Sequence, residues 1–314
     1  MATIQAVPPQ SIPTSRFTLF YGVAIFASAF LLFQVEPLIT KLILPWFGGV
    51  AAVWTVGLVF FQVALLAGYF YAHVLSTRFA PRKQAWIHAG VVGLSLLALP
   101  ILPKASWKPT GPHAPAWHIL VLLSVTVGLP YFVLSSTSPL LQVWYARARP
   151  GLLPYRFYAL SNAGSMLALL SYPVLVEPFV AETHQAIGWS IAFGLVAACC
   201  AVLTVRMARQ GDGSETAVRS GSLQDGSPSS ATKILWVAFA ACGSALLLGV
   251  TNHISQNIAS VPFLWIIPLS LYLLSFILCF DTAAWYRRDL FCGCWGWHWE
   301  RWRMLWSRRL QFFR

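Results

Sequence analysis

Charge is what this chain has least of. Only 10% of its 314 residues are Asp, Glu, Lys or Arg, and just nine are acidic. A soluble domain carries about 25% charged residues, so an ordinary water-facing surface cannot be built from this composition. Acid–base chemistry by paired carboxylates is excluded on the same ground, because most of the nine sit in loops or in a polar linker. Cysteine is also sparse. Of six, Cys199, Cys200, Cys242 and Cys279 fall inside apolar runs, while Cys292 and Cys294 form a CxC. Neither arrangement gives a disulfide framework or the spacing of a four-ligand zinc site, so neither metal nor cofactor is expected.

Other catalytic signatures are missing too. Gly211-Asp212-Gly213 resembles a cofactor-binding turn, but such a turn needs a strand before it and a helix after it. Here an apolar helix precedes and Gly/Ser linker follows. Residues 135–138 (Ser-Ser-Thr-Ser) have no base nearby and no G-x-S-x-G elbow. Hydroxyls at such places in a proline-containing helix are expected to serve the carbonyls that proline frees. The histidines are scattered, with His113, His118 and His298 in loop or interfacial positions.

Apolar sequence fills the space that charge leaves. Hydrophobic residues make up 58% of the chain and the mean hydropathy is +0.67. The formal net charge of +12 would suit a nucleic-acid binder, yet the positives lie in short loops between apolar runs. That placement is a topology signal, and no nucleic-acid partner is expected. The predicted fold class is all-α, a polytopic transmembrane helix bundle whose principal partner is the lipid bilayer.

The first apolar run, 17–49, exceeds the about 20 residues that span a bilayer and embeds Gln34, Glu36, Pro37, Lys41 and Pro45. Arg16 and Ala27-Ser28-Ala29 resemble a signal peptide with its cleavage site, but the apolar run continues to Val35. An uncleaved first helix is the expectation. Pro37 must bend or break it, and ionisable groups in lipid turn to a bundle interior or a wet cavity.

Further helices are predicted near 50–74, 86–102, 117–138, 157–176 and 185–205, then 233–252 and 262–280, giving eight spans. A disordered N-terminus covers 1–15, and the six-helix bundle occupies 16–207. The Gly/Ser-rich stretch 208–231 reads as a flexible cytoplasmic linker, followed by two further membrane helices in 232–290. The loop 103–116 is proline-rich and irregular. Ala241, Ala245 and Gly249 recur every four residues, as in closely packed membrane helices.

Alternate loops hold thirteen Lys and Arg against three, Lys41, Lys104 and Lys108, on the other side. The positive-inside rule then puts both termini in the cytoplasm, in a cell inner membrane. A weak internal echo links Val35-Glu36-Pro37 to Val176-Glu177-Pro178, of the kind found in transporter repeats with broken helices.

The strongest polar constellation is intramembrane: Glu36, Lys41, Gln34, Gln62 and Asn162, with Asn252 at its margin. Gln34 and Lys41 are seven apart and share a helix face, whereas Glu36 and Lys41 are five apart and diverge. A Glu36–Lys41 bond would depend on the Pro37 break. Two readings stay open. One is a polar clasp between helices, worth ~1 kcal/mol per contact. The other is a site for a small cationic or polar solute with Glu36 as counter-ion.

Five segments in order, FQVEPLITKLILPWFGG, VWTVGLVFFQVALLAGYFYAH, LPYFVLSSTSPLLQVWY, YALSNAGSMLALLSYPVLVEP and TNHISQNIASVPFLWIIPLSLYLLSFI, resemble the membrane portion of bacterial spermidine-synthase-like integral membrane proteins. The resemblance covers roughly 16–290. In that family a Rossmann-type, aminopropyltransferase-like cytoplasmic domain follows the bundle and binds decarboxylated S-adenosylmethionine and a polyamine. No segment of that kind follows here, so no catalytic residue is expected. The resemblance implies a non-catalytic membrane module, or alternatively a self-sufficient transporter of polyamines or another small cation.

Beyond Arg288 the sequence turns rich in Trp, Cys, Gly and Arg. This tail, 291–314, is expected to be a frameshifted or truncated end. Its Trp295, Trp299, Trp302 and Trp306 also carry the spacing of an interfacial helix.

Overall fold

The computed structural model describes residues 16–47, 51–108, 115–149, 155–209, 229–257 and 266–281. The expectations for 1–15, for most of the linker and for the tail lie outside these residues. Nine α-helices occur among them: α1 (Arg16–Ile43), α2 (Ala51–Arg78), α3 (Pro81–Ser95), α4 (Pro115–Leu123), α5 (Leu129–Ala148), α6 (Tyr155–Ser171), α7 (Glu182–Arg209), α8 (Ser230–Asn257) and α9 (Ile266–Asp281). No strand is present among the described residues. The all-helical class follows from continuous apolar sequence, since lipid leaves backbone groups to be satisfied only within the helix.

Six helical stretches are long and apolar enough to cross a membrane: Thr18–Phe47, Val53–Arg78, Ala116–Ala148, Tyr155–Val176, Glu182–Ala208 and Ser230–Thr251. The chain is therefore a multi-pass membrane protein. The other two predicted spans come out shorter. At about 1.5 Å per residue, the 15 residues of α3 reach less than the ~30 Å of a hydrocarbon core. The 16 residues of α9 also fall short.

Prolines shape these helices without ending them. The span predicted to stop before Pro139 runs on to Ala148, because α5 carries that proline inside it. Pro130 has no N–H for the carbonyl four residues back, and the turn just before it, Ser124–Gly128, widens into a π-helix that joins α4 to α5. Pro173 sits in a second π turn, Tyr172–Val176, after α6. Against expectation, the hydroxyls at 135–137 bond the carbonyls of Phe132 and Val133. These are not the carbonyls that Pro130 and Pro139 leave without a donor.

Packing centres on α1. It lies against α6, α5 and α7, while α2 packs on α5 and α3 on α7. The largest buried cluster joins Val35, Leu38 and Ile39 of α1 to Phe61, Tyr131 and Phe193. Trp189 of α7 donates its indole N–H to the Leu31 carbonyl at 2.9 Å, tying α7 to the middle of α1. Three glycines set the helix spacing. A Cβ on Gly164 would stand 2.7 Å from the Phe26 carbonyl oxygen, one on Gly57 3.1 Å from Thr40 Oγ1, and one on Gly68 would overlap Ser135. Small residues of this kind let membrane helices approach where no hydrophobic effect draws them together.

Candidate functional site

Pro37 lies between two charged residues of α1 without breaking the helix, and the structure separates them. Lys41, in the last turn of α1, donates through Nζ to Glu177 Oε1 at 2.6 Å, with the two side chains 29% and 28% exposed. Glu177 follows the π turn at the end of α6, where its N–H bonds back to the Tyr172 carbonyl at 2.8 Å. The Glu36–Lys41 bond that a break at Pro37 would have permitted is not formed. Five residues place the two side chains on diverging faces, and α1 remains helical through Pro37, so Lys41 finds the acid of the neighbouring helix instead.

Glu36 is left half-buried in the bundle, with no ion-pair or hydrogen-bond partner among the described residues. The Tyr131 side chain of α5 lies within electrostatic range of it. Tyr131 in turn packs on Phe61 of α2, ring centroids 4.9 Å apart. Its neighbours on α1, Val35, Leu38 and Ile39, are buried, as are Tyr131 and Phe61.

The other polar residues of the predicted constellation do not all converge. Gln34 is half-buried on α1, one turn from Leu38 and on the face shared with Lys41. Gln62 stands near the level of Glu36, since Gly57 of the antiparallel α2 faces Thr40. It is nonetheless exposed, while its neighbour Phe61 is 1% exposed and turns inward. Asn162 belongs to another level. Gly164 faces Phe26 and Glu177 faces Lys41, so Asn162 sits roughly 18 Å along α1 from Glu36 at helical rise. Its amide donates to the Tyr158 carbonyl of its own helix at 2.7 Å. The side chain of Asn252 lies outside the described residues.

Sequence reading missed a second polar cluster, at the opposite end of the bundle. Gln84 of α3 is fully buried and uses its amide completely. It accepts from Trp144 Nε1 at 3.0 Å and Arg147 Nη1 at 3.1 Å, and donates to the carbonyls of Phe79 and Ser76 at 2.6 and 3.3 Å. Arg147 adds a bond to the Ser76 carbonyl at 2.7 Å. Next to it, His88 is buried with Nδ1 unpartnered, ringed by Tyr71 and Trp144. In the sequence Gln84 follows Arg82 and Lys83 and reads as part of a basic loop, and Arg147 reads only as a topology charge. No local pattern announces that they meet.

Groups of three or more metal-ligating side chains are absent among the described residues. Around Glu36 the bundle holds a carboxylate without a described partner, with Tyr131 within electrostatic range of it; a carboxylate in such surroundings favours a nearby cation. Compared with protein-family models, curated proteins and solved structures, the chain has no match, and its family is not assigned by them.

Proposed function

We propose that the chain is the membrane module of a spermidine-synthase-like protein and that it holds a small organic cation, with Glu36 as counter-ion. The observation that carries this reading is the pairing of Lys41 with Glu177, which leaves Glu36 the one acid of α1 without a cation. A half-buried carboxylate in a membrane bundle is costly without a cation, and a mobile cation would supply it. In this reading the bundle has eight spans, α3 and α9 completing the six longer ones. Both termini lie in the cytoplasm of a bacterial inner membrane, on the side of the positive loops. The module itself is non-catalytic.

A second reading rests on the same site: the module moves its solute across the membrane as a self-sufficient transporter. Uptake of labelled spermidine into proteoliposomes separates the two. Saturable uptake abolished by Glu36→Gln establishes transport, and binding without uptake leaves a solute-holding module. Equal stabilisation of the unmodified protein and Glu36→Gln by spermidine would refute the site.

A further inference from the structure

One turn beyond Glu36 stands a second polar group that the fold buries and leaves unused. Thr40 of α1 is 1% exposed, and its Oγ1 has no hydrogen-bond partner among the described residues. A buried hydroxyl without a partner costs free energy, so its presence calls for a reason. We infer that Thr40 Oγ1, the Phe33 carbonyl and the Glu36 carboxylate form one three-acceptor site on α1 that selects a primary alkylammonium over a quaternary one. The inference rests on the reading of Glu36 as a cation site and adds which head group that site takes.

Position along α1 brings the three acceptors together. Phe33, Glu36 and Thr40 follow one another at three and four residues. That is the spacing of neighbours on one helix face, with about 5–6 Å between successive Cβ atoms. Pro37 lies inside the same helix. It has no N–H for the carbonyl four residues back, that of Phe33, so the turn that carries Glu36 also carries a backbone acceptor released from the helix ladder. Across from Thr40, α2 presents Gly57, on which a Cβ would stand 3.1 Å from Thr40 Oγ1. A glycine brings no side-chain group to bond the hydroxyl. Lys41 leaves α1 on another face and is held by Glu177, so its ammonium does not serve these acceptors.

The donor count of the solute then decides what fits. A primary ammonium has three N–H donors and no acceptor. It can give one each to the carboxylate, the carbonyl and the hydroxyl, whose own hydrogen rotates aside. A quaternary ammonium keeps the charge that Glu36 attracts but has no N–H for the other two. Charge alone therefore holds both classes, and Thr40 with the Phe33 carbonyl tells them apart.

The test compares Kd for butylammonium and butyltrimethylammonium, measured by titration calorimetry on the full chain in detergent. Hydrogen bonds from a charged donor are strong enough that the unmodified protein should favour butylammonium by roughly tenfold or more. Thr40→Val replaces the hydroxyl by a methyl of similar size, and Pro37→Ala returns an N–H to the Phe33 carbonyl. Neither removes a described bond, so both variants should fold. Each should lower the preference by about fivefold or more through weaker butylammonium binding, while Kd for butyltrimethylammonium stays within about twofold. Thr40→Ser, which keeps the hydroxyl, should keep the preference. A preference unchanged in Thr40→Val or in Pro37→Ala overturns the three-acceptor site. Equal binding of the two cations that is lost in Glu36→Gln overturns it too, and leaves Glu36 a plain counter-ion. Butylammonium binding as tight in Glu36→Gln as in the unmodified protein would instead refute the Glu36 reading itself.

Discussion

At the scale of single residues, the fold treats its few polar groups unequally. Lys41 and Glu177 neutralise each other, whereas Glu36 has no partner among the described residues. Glu36→Gln keeps the shape and removes only the charge. Because Glu36 makes no described bond, the variant's melting temperature should stay within about 2–4 °C, the shift that ~1 kcal/mol gives in a domain of this size. Stabilisation by spermidine should vanish. A large loss of melting temperature would make Glu36 a clasp after all. Glycines give a second residue-scale contrast. Gly164→Ala drives a methyl to 2.7 Å from the Phe26 carbonyl, a backbone atom that cannot swing aside. It should cost roughly 1–3 kcal/mol, the usual penalty of overpacking. Gly188→Ala meets nothing within 4 Å on an exposed face of α7 and should be neutral or stabilising by up to ~1 kcal/mol through helix propensity. Thermal unfolding of the two variants in detergent tests the pair, and equal shifts would contradict the packing described.

At the scale of elements, the link from α2 to α3 depends on Gln84. Its amide bridges the Ser76 and Phe79 carbonyls on one side and Trp144 and Arg147 of α5 on the other. Gln84→Ala leaves the buried Trp144 indole N–H and one Arg147 donor without acceptors. Each orphaned buried donor costs roughly 1–3 kcal/mol, so the variant should be among the most destabilising polar-to-alanine changes. Gln84→Glu keeps the acceptors for both donors, but puts a carboxylate oxygen against the Phe79 carbonyl and should fall between the two. Proteolysis at the α2–α3 turn is the measurement. Cleavage should accelerate in Gln84→Ala before global unfolding, and an unchanged rate would show that the cluster does not hold the turn.

At the scale of the molecule, the two ends of the bundle differ in charge. Arg147 meets the Ser76 carbonyl, and Tyr21 lies within electrostatic range of Arg206, which gathers the arginine-bearing helix ends together. Lys41 and Glu177 mark the other end. Cysteines placed at Thr77 and Ala148 should therefore react with an impermeant label from one side of the membrane, and a cysteine at Glu182 from the other. Labelling of all three from one side would overturn the arrangement.

Much of this was legible in the chain itself. Apolar runs of span length leave the backbone no option but helices, so the all-α class and the membrane follow from composition and run length alone. Basic residues at alternate loops marked the ends that the fold brings together. Helix ends were less legible around proline, because α5 absorbs Pro139 and spreads Pro130 over a π turn, and whether a turn widens or breaks depends on neighbours. The partners of the charged groups were not legible at all. Glu36 and Lys41 share a helix, yet the choice of Glu177 for Lys41, and of Gln84 for Arg147, is made by residues 136 and 63 positions away. Local sequence fixes which way a side chain leaves its helix. Only the packing of α6 on α1 decides what stands there to meet it.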